Sequence, residues 1–188
     1  MIANSNNFYL SPQEYLEWEA KQKIKYEYIN GEVYAMTGGT LAHTSIALNL
    51  ASALKSYLRE KLCSVYIAGA KLGISENGNF FYPDVLVTCD PRDRKERLVI
   101  YNPCLIVEVL YPTTEAFDRG DKFKFYRQID TLQEYVLIDA QRINIEVFRL
   151  NNNGFWELHP YQERDEFLLT SIDFSCPISL IYEDIDLS

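Results

Sequence analysis

The sequence lacks any run of apolar residues long enough to cross a membrane, and it lacks the features of an export leader. A spanning helix needs about 20 consecutive apolar residues, and no stretch of this chain approaches that length. Residues 1–7 carry neither the basic region nor the apolar core of a secretory leader. We therefore expect a soluble, cytoplasmic protein with no membrane partner.

The sequence is also poor in the residues that build zinc sites. It has four cysteines, none in C-x-x-C spacing, and only two histidines, His43 and His159, which lie far apart. Zinc centres usually combine closely spaced cysteine and histidine ligands, so these counts argue against zinc. The cysteines are expected to be buried, reduced thiols: Cys63, Cys89, Cys104 and Cys176.

An excess of basic residues is missing as well, since 18 lysines and arginines face 27 acidic residues and give a net charge of −9. Proteins that coat nucleic acid usually have a strong basic excess, so that class is disfavoured. An enzyme that touches DNA through a local patch is not excluded. Two basic groups are either such a patch or ordinary solvated surface: Arg92, Arg94, Lys95 and Arg97, then Lys122, Lys124 and Arg127.

The residues that are present suit one globular domain, 1–188, because 47% are hydrophobic and 24% are charged. Capping residues, turn residues and hydrophobic spacing predict a mixed α/β (α+β) fold. The predicted elements are a helix at 11–21, a hairpin at 26–36 around Asn30-Gly31, a helix at 41–60, strands at 65–74, 80–89 and 104–110, a helix from Thr113 or Thr114 to about Gln128, a strand at 135–139, an antiparallel pair at 143–150 and 154–161, and a short element after 178.

Glu108 is the most informative residue, because it lies inside the apolar run 104–110. Such a run is typical of a central strand that is buried on both faces. A carboxylate there costs several kcal/mol of desolvation unless a partner offsets it. Glu108 is therefore either paired with a nearby lysine or arginine, exposed at the end of the strand, or a metal-binding or catalytic carboxylate.

Asp84 is a second isolated carboxylate, and it follows Pro83 within the apolar stretch 80–87. Proline cannot donate a ladder hydrogen bond, so Pro83 indicates a bulge or a sheet edge, where active sites are common. The simpler interpretation is a turn at the start of a strand. Two acids on adjacent strands can bind one Mg²⁺, which activates water and neutralises a phosphodiester transition state.

A candidate lysine follows on the next predicted helix. Asp118, Lys122 and Tyr126 are spaced four residues apart, so they share one helical stripe. Lys122 could orient water or stabilise developing charge. The alternative is a solvated Asp–Lys pair with little energetic effect.

These motifs resemble the PD-(D/E)XK nuclease superfamily, through Pro83-Asp84 and then Glu108 in an apolar strand. The usual lysine two residues after the second acid is Leu110 here. The string from Glu108 to Thr114, followed by Asp118, Lys122 and Tyr126, is similar to one branch of small bacterial proteins labelled restriction endonucleases. In that branch the lysine lies on the following helix. The likeness covers roughly residues 10–180.

The resemblance implies a restriction-endonuclease-like core, a central mixed sheet flanked by helices with an added N-terminal hairpin. It implies a metal-dependent endonuclease in which Asp84 and Glu108 bind Mg²⁺ or Mn²⁺ and Lys122 acts on water. DNA would be bound locally, weakly and only with metal, and a homodimer is expected from fold analogy. The alternative is an inactive interaction protein that retains the fold. Four residues are possible additions to the site: Glu27, as a third acid or merely a hairpin residue; His43, more simply a helix-start histidine that bonds backbone; Asp118; and Tyr126.

Overall fold

The structure, a computed structural model, describes residues 2–3, 9–36 and 38–187. Most of the segment on which the expectation about an export leader rests, residues 1 and 4–7, lies outside the described residues. The strands are β1 (Ile2–Ala3), β2 (Tyr26–Ile29), β3 (Glu32–Ala35), β4 (Ser64–Ile67), β5 (Lys71–Gly73), β6 (Phe80–Phe81), β7 (Val85–Thr88), β8 (Val99–Ile100), β9 (Leu105–Leu110), β10 (Glu134–Asp139), β11 (Ile145–Leu150), β12 (Trp156–Tyr161), β13 (Glu166–Leu169) and β14 (Phe174–Pro177). The helices are α1 (Pro12–Glu19), α2 (Leu41–Tyr57), α3 (Glu115–Phe117), α4 (Phe123–Tyr126) and α5 (Ile178–Ile181), with a 3₁₀ turn at Asp93–Lys95 and a π-helical turn at Asp118–Lys122. None of the described helices has the length and apolarity needed to cross a membrane.

The N-terminal elements follow the local rules that predicted them. Ser11 and Glu14 form the capping box of α1, with each side chain accepting from the other's backbone amide. The hairpin of β2 and β3 turns at Asn30 and Gly31, whose φ angles of 50° and 96° are the positive values that an Asn-Gly turn requires. The predicted first helix and hairpin are therefore confirmed.

Two six-stranded sheets form the body of the fold, in the orders β1-β3-β2-β6-β5-β8 and β12-β11-β10-β9-β7-β4. In the second sheet β9 runs parallel to β10 and antiparallel to β7. All six residues of β9 are buried, because helix α2 covers one face of this sheet and α4 the other. The predicted mixed α+β class, with a central mixed sheet flanked by helices, is confirmed.

The strands predicted at 65–74 and 80–89 each divide in two, so their prediction as continuous strands is wrong. Their outer parts, β4 and β7, pair in the second sheet, whereas β5 and β6 pair in the first. The chain changes sheets at 82–84, where Pro83 cannot donate to a ladder. This places Asp84 at the junction between the two sheets.

The helix predicted from Thr113 or Thr114 to Gln128 is also divided, into α3, the π-helical turn and α4. Thr114 lies at the N-cap position, but its side chain makes no capping hydrogen bond. The π-helical turn contains both Asp118 and Lys122 and buries them. Such turns are rare, and they are frequent at functional sites.

The cysteines are predicted incorrectly in part, because Cys63 and Cys89 form a disulfide. Cys63 immediately precedes β4 and Cys89 immediately follows β7, and these strands are antiparallel neighbours. The pairing register brings the two residues together, which their separation in sequence did not indicate. Cys104 and Cys176 are buried and free, as predicted. The hairpin of β13 and β14 was not predicted either.

Candidate functional site

A small cavity opens where the two sheets meet, and it has a volume of about 100 Å³. Strands β2 and β9, the segment just before β7, the start of α2 and the π-helical turn all contribute to its wall. Four carboxylates and two basic side chains line it together: Glu27, Asp84, Glu108, Asp118, His43 and Lys122. The cavity therefore contains more negative than positive groups.

Lys122 lies at the centre of this cluster. Its Nζ is 2.8 Å from Oε1 of Glu108, 3.4 Å from Oε1 of Glu27 and 3.5 Å from Oδ1 of Asp118. Only 6% of the residue is exposed. Leu110, which stands where the strand lysine would be, packs in the core beneath α4. The structure thus brings the helical lysine to Glu108.

The charge on Lys122 is stabilised by its neighbours. Burial acts to lower the pKa of Lys122, but the carboxylates of Glu108, Glu27 and Asp118 outweigh burial and raise that pKa well above its ordinary value. Lys122 is accordingly a protonated ammonium at neutral pH. In this state it can donate hydrogen bonds and stabilise negative charge, but it cannot accept a proton.

Glu108 experiences the opposite balance, since it is an acid among acids. Burial, and then the charges of Asp84 and Asp118, raise the pKa of Glu108 well above its usual range, although Lys122 lowers it. Its Oε1 accepts hydrogen bonds from Lys122 at 2.8 Å and from the hydroxyl of Tyr126 at 2.7 Å. The ionised form of Glu108 is therefore stabilised at one oxygen only.

Asp84 and His43 form the more exposed side of the cavity, with 14% and 17% of their side chains accessible. Oδ2 of Asp84 accepts from the amide of Val109 at 2.8 Å and lies 3.2 Å from Nε2 of His43. Burial lowers the pKa of His43, but the hydrogen bond and charge of Asp84, together with Val109 and Asp118, outweigh burial, so the net shift is upward. His43 also begins α2 by donating its amide to Thr40, so it has both a helix-start contact and a place in the cavity.

Glu27 and Asp118 complete the acidic wall. Glu27 is 3% exposed, and its Oε1 accepts from the amide of Tyr82 at 3.2 Å. Its contact with Lys122 shows that it is more than a hairpin residue. Asp118 is 4% exposed, and burial raises its pKa. Sequence reasoning missed Tyr135, whose hydroxyl donates to the backbone oxygen of Asp118 at 2.9 Å, because it resembles an ordinary core aromatic.

The basic groups singled out in the sequence lie elsewhere, apart from Lys122. Arg92 pairs with Asp90, and Lys124 pairs with Asp121, each at 2.7 Å. Arg94 donates to the backbone oxygen of Leu62. Of the described residues that line the cavity, none comes from the 92–97 loop. Any contact that this loop makes with DNA would be away from the carboxylates.

The carboxylates suit a hard cation held by few protein ligands. Among the described residues, no three histidine, cysteine, aspartate or glutamate side chains are already arranged as a metal cage. Mg²⁺ seldom uses such a cage, and it usually binds one or two carboxylates and retains several waters. Hydrogen bonds from described residues reach Oδ2 of Asp84 and Oε1 of Glu108. The other oxygen of each carboxylate is therefore available to coordinate a cation. The acidic excess therefore fits Mg²⁺ or Mn²⁺.

Comparisons with known proteins identify the family of this chain. A family model described as "Uma2: Putative restriction endonuclease" matches residues 12–179. The chain is similar to "Uncharacterized protein slr1290" of Synechocystis sp., with 42% identity over 94% of this chain and 93% of the relative. It is also similar to "Uncharacterized protein sll1609" of the same organism, with 33% identity over 79% and 85%.

A solved structure shares the fold at low sequence identity. It is the crystal structure of "a putative nuclease belonging to DUF820" from Anabaena variabilis, with a TM-score of 0.77 and 15% identity. The match covers 92% of this chain and 97% of that one. The two proteins therefore have the same fold over nearly their whole lengths.

Proposed function

This chain belongs to the restriction-endonuclease-like family that its sequence matches over residues 12–179, and from that membership we propose that it is a metal-dependent endonuclease that hydrolyses phosphodiester bonds of DNA. The observation that carries the proposal is the contact of Lys122 with Glu108 in a cavity that Asp84 also lines. Two carboxylates can hold a metal ion that activates water, and a nearby lysine can stabilise the charge that develops on the phosphate. A homodimer is proposed with it, by analogy with the fold, and a cytoplasmic location is proposed as well.

Asp84 and Glu108 would hold the cation. Bound there, Mg²⁺ or Mn²⁺ would lower the pKa of water and neutralise charge on the scissile phosphate. Lys122 keeps its proton, because three carboxylates surround it. Its role is thus to stabilise the negative charge that develops on the phosphate and to orient the attacking water. Glu27 and Asp118 hold the ammonium in position.

Binding to DNA is expected to be weak and dependent on the cation. With a net charge of −9, long-range attraction to a phosphate backbone is absent. Without metal the four cavity carboxylates would repel the scissile phosphate. Each lysine or arginine that contacts the backbone adds roughly 0.9 to the salt slope, and only a few such side chains are available. The salt dependence of binding is therefore expected to be modest.

Plasmid nicking and gel-shift assays test the proposal with Mn²⁺, with chelator, and with the variant Lys122→Ala. Nicking and binding should both disappear with chelator, whereas Lys122→Ala should lose nicking and retain binding. Lys124→Ala is the matched control, because Lys124 lies two residues further on, in α4, with 66% of its side chain exposed. Nicking by Lys122→Ala at the wild-type rate would contradict the assignment.

The rival function is that of an interaction protein that keeps the fold without cleavage. The acidic net charge and the buried Leu110 at the position of the strand lysine favour it. Calorimetric titration with Mn²⁺ separates the two, since the enzyme requires a bound cation. Confirmed metal occupancy without cleavage of any DNA or RNA would favour the rival.

A further inference from the structure

A second and larger cavity, of about 800 Å³, lies along the outer edge of β4. Its wall is built by one side of α2, by β4 and by residues 96–100. None of the described residues that line the acidic cavity also lines this one. We call it the edge groove, and nothing in the proposed nuclease chemistry uses it.

The floor of the edge groove is a strand with one unpaired side. Among the described strands β4 pairs only with β7, so it is the edge of its sheet. The amide of Ala68 donates to Asp84 in that pairing. Because antiparallel ladders alternate, the amides of Val65 and Ile67 point away from β7. Both residues line the groove, so it presents free backbone donors.

The side chains around this edge are apolar at the rim. Ile67 is 54% exposed and Leu98 is 83% exposed, although both are large aliphatic residues. Val65 and Val99 continue the apolar lining inward. An unpaired strand edge beside apolar side chains is the arrangement to which extended peptides add as a further strand.

The charges in the groove indicate which peptide would fit. Lys55, Arg59 and Arg97 line it with a single acid, Glu96. Within the described part of the chain none of these three basic side chains takes part in an ion pair. A local excess of positive charge therefore lies on a chain whose net charge is −9.

We propose that the edge groove binds an extended segment of a partner protein in which apolar and acidic side chains alternate, added as a strand to β4. The acidic side chains of such a strand would point to the α2 side of the sheet, where Lys55 and Arg59 lie, and its apolar side chains would point to the opposite side, over Tyr66 and Ile100. A second copy of this chain fits less well, because the same positive groups would face each other across the interface. Nucleic acid fits less well too, because phosphates cannot pair with the β4 amides in strand register.

The test uses a fluorescent octapeptide of alternating valine and glutamate as the probe. Anisotropy should show that the valine–glutamate peptide binds, that the matching valine–lysine peptide does not, and that N-methylation of the peptide amides that face β4 abolishes binding. In hydrogen exchange followed by NMR, the amides of Val65 and Ile67 should gain protection. The double variant Lys55→Glu/Arg59→Glu should weaken binding at least tenfold, whereas Arg164→Glu, an exposed control, should not.

Several results would overturn the proposal. The proposal fails if the valine–glutamate peptide does not bind at millimolar concentration, or if the valine–lysine peptide binds equally well. It also fails if the folded double variant binds the valine–glutamate peptide with unchanged affinity. A single-stranded oligonucleotide that displaces the peptide and protects the same amides would reassign the groove to nucleic acid. A dimer that Ile67→Lys dissociates in sedimentation would reassign it to a second copy. Metal binding by the double variant should match the wild type, which separates this proposal from the nuclease one.

Discussion

Two buried glutamates lie on adjacent central strands, Glu108 on β9 and Glu134 on β10, and their surroundings differ. Glu134 is 0% exposed, and both of its oxygens are occupied. Oε1 accepts from Arg149 at 2.7 Å and from the amide of Thr170 at 3.1 Å, while Oε2 accepts from the amide of Ser171 at 2.8 Å. Glu108 has one bonded oxygen, one lysine and three other acids around its cavity.

This difference separates a structural acid from one that is suited to a ligand. The charge of Glu134 is neutralised by Arg149, directly across the strand pair, and its hydrogen bonds fasten residues 170–171 to the sheet. The charge of Glu108 is opposed by its surroundings, as its raised pKa shows. A buried carboxylate that stays under such strain gains most when a cation arrives. Burial alone therefore does not identify a catalytic acid, whereas an unused oxygen and an acidic surrounding do.

The largest expected effect in this comparison is on stability, and it falls on Glu134. Glu134→Ala leaves Arg149 and several amides without their partner, and breaking such a buried network costs about 3–5 kcal/mol. Glu108→Gln keeps the shape of the side chain and removes a charge that its neighbours disfavour, so its cost should be under about 1 kcal/mol. Urea unfolding of the metal-free proteins measures both. Equal losses of unfolding free energy would mean that the two acids have the same role.

The sequence predicts the parts of the fold that depend on local rules. The capping box at Ser11, the turn at Asn30-Gly31 and the apolar strand around Glu108 all follow from neighbouring residues. Glu134 could not be recognised as buried, because it begins its strand and its partners at 170–171 are distant in sequence. The disulfide depends on strand register, which local patterns do not give.

The residues of the candidate site were singled out from the sequence, whereas the boundaries of the strands and helix that carry them were not predicted correctly. Asp84, Glu108 and Lys122 line one cavity, although the strands and helix that carry them divide in ways the sequence did not predict. The apolar residues on both sides of Pro83 read as one strand, because two sheets bury both halves equally well. For His43 the simpler interpretation was a helix-start residue that bonds backbone, with a place in the site as the alternative, and its contact with Asp84 requires the long-range approach of α2 to β7.

The second effect is expected to be intermediate, and it concerns metal binding. A cation that binds only the folded state stabilises it by about 2.7 kcal/mol at a hundred times its dissociation constant. At about 2–4 °C per kcal/mol for a chain of this size, Mn²⁺ should raise the melting temperature of the wild-type protein clearly. Asp84→Ala should fold normally and lose this shift, because Asp84 supplies one of the two proposed ligands.

The matched control for this measurement is Asp121→Asn. Asp121 lies in the π-helical turn with 63% of its side chain exposed, outside the cavity. Its variant should retain the full shift with Mn²⁺. If Mn²⁺ raised the melting temperature of Asp84→Ala as much as that of the wild type, Asp84 would not be a metal ligand. If Mn²⁺ raised the melting temperature of none of the proteins, the proposed metal site would be wrong.

The smallest expected effect is on the pH dependence of stability, and it concerns Asp118 in the metal-free protein. Burial raises the pKa of Asp118 above the ordinary value of 3.8, so ionising this group costs folding free energy. Because the pKa of Asp118 is higher in the folded protein than in the unfolded chain, the contribution of Asp118 to the free energy of unfolding is greatest below the unfolded-state pKa. That contribution falls as the pH rises through the folded-state pKa. Asparagine does not titrate and stays neutral, and Lys122 would keep Glu108 at 2.8 Å as its partner.

Asp118→Asn should therefore match the wild type near pH 4 and become more stable at neutral pH, by up to about 1 kcal/mol. Urea unfolding of chelator-treated protein at a series of pH values measures the difference, with Asp121→Asn expected to stay within about 0.5 kcal/mol of the wild type. If Asp118→Asn instead lost unfolding free energy relative to the wild type as the pH rose to neutral, the ionised form of Asp118 would be stabilised by its partners, as that of Glu134 is. A difference that grows with pH would place it with Glu108, among the acids that the fold holds under strain.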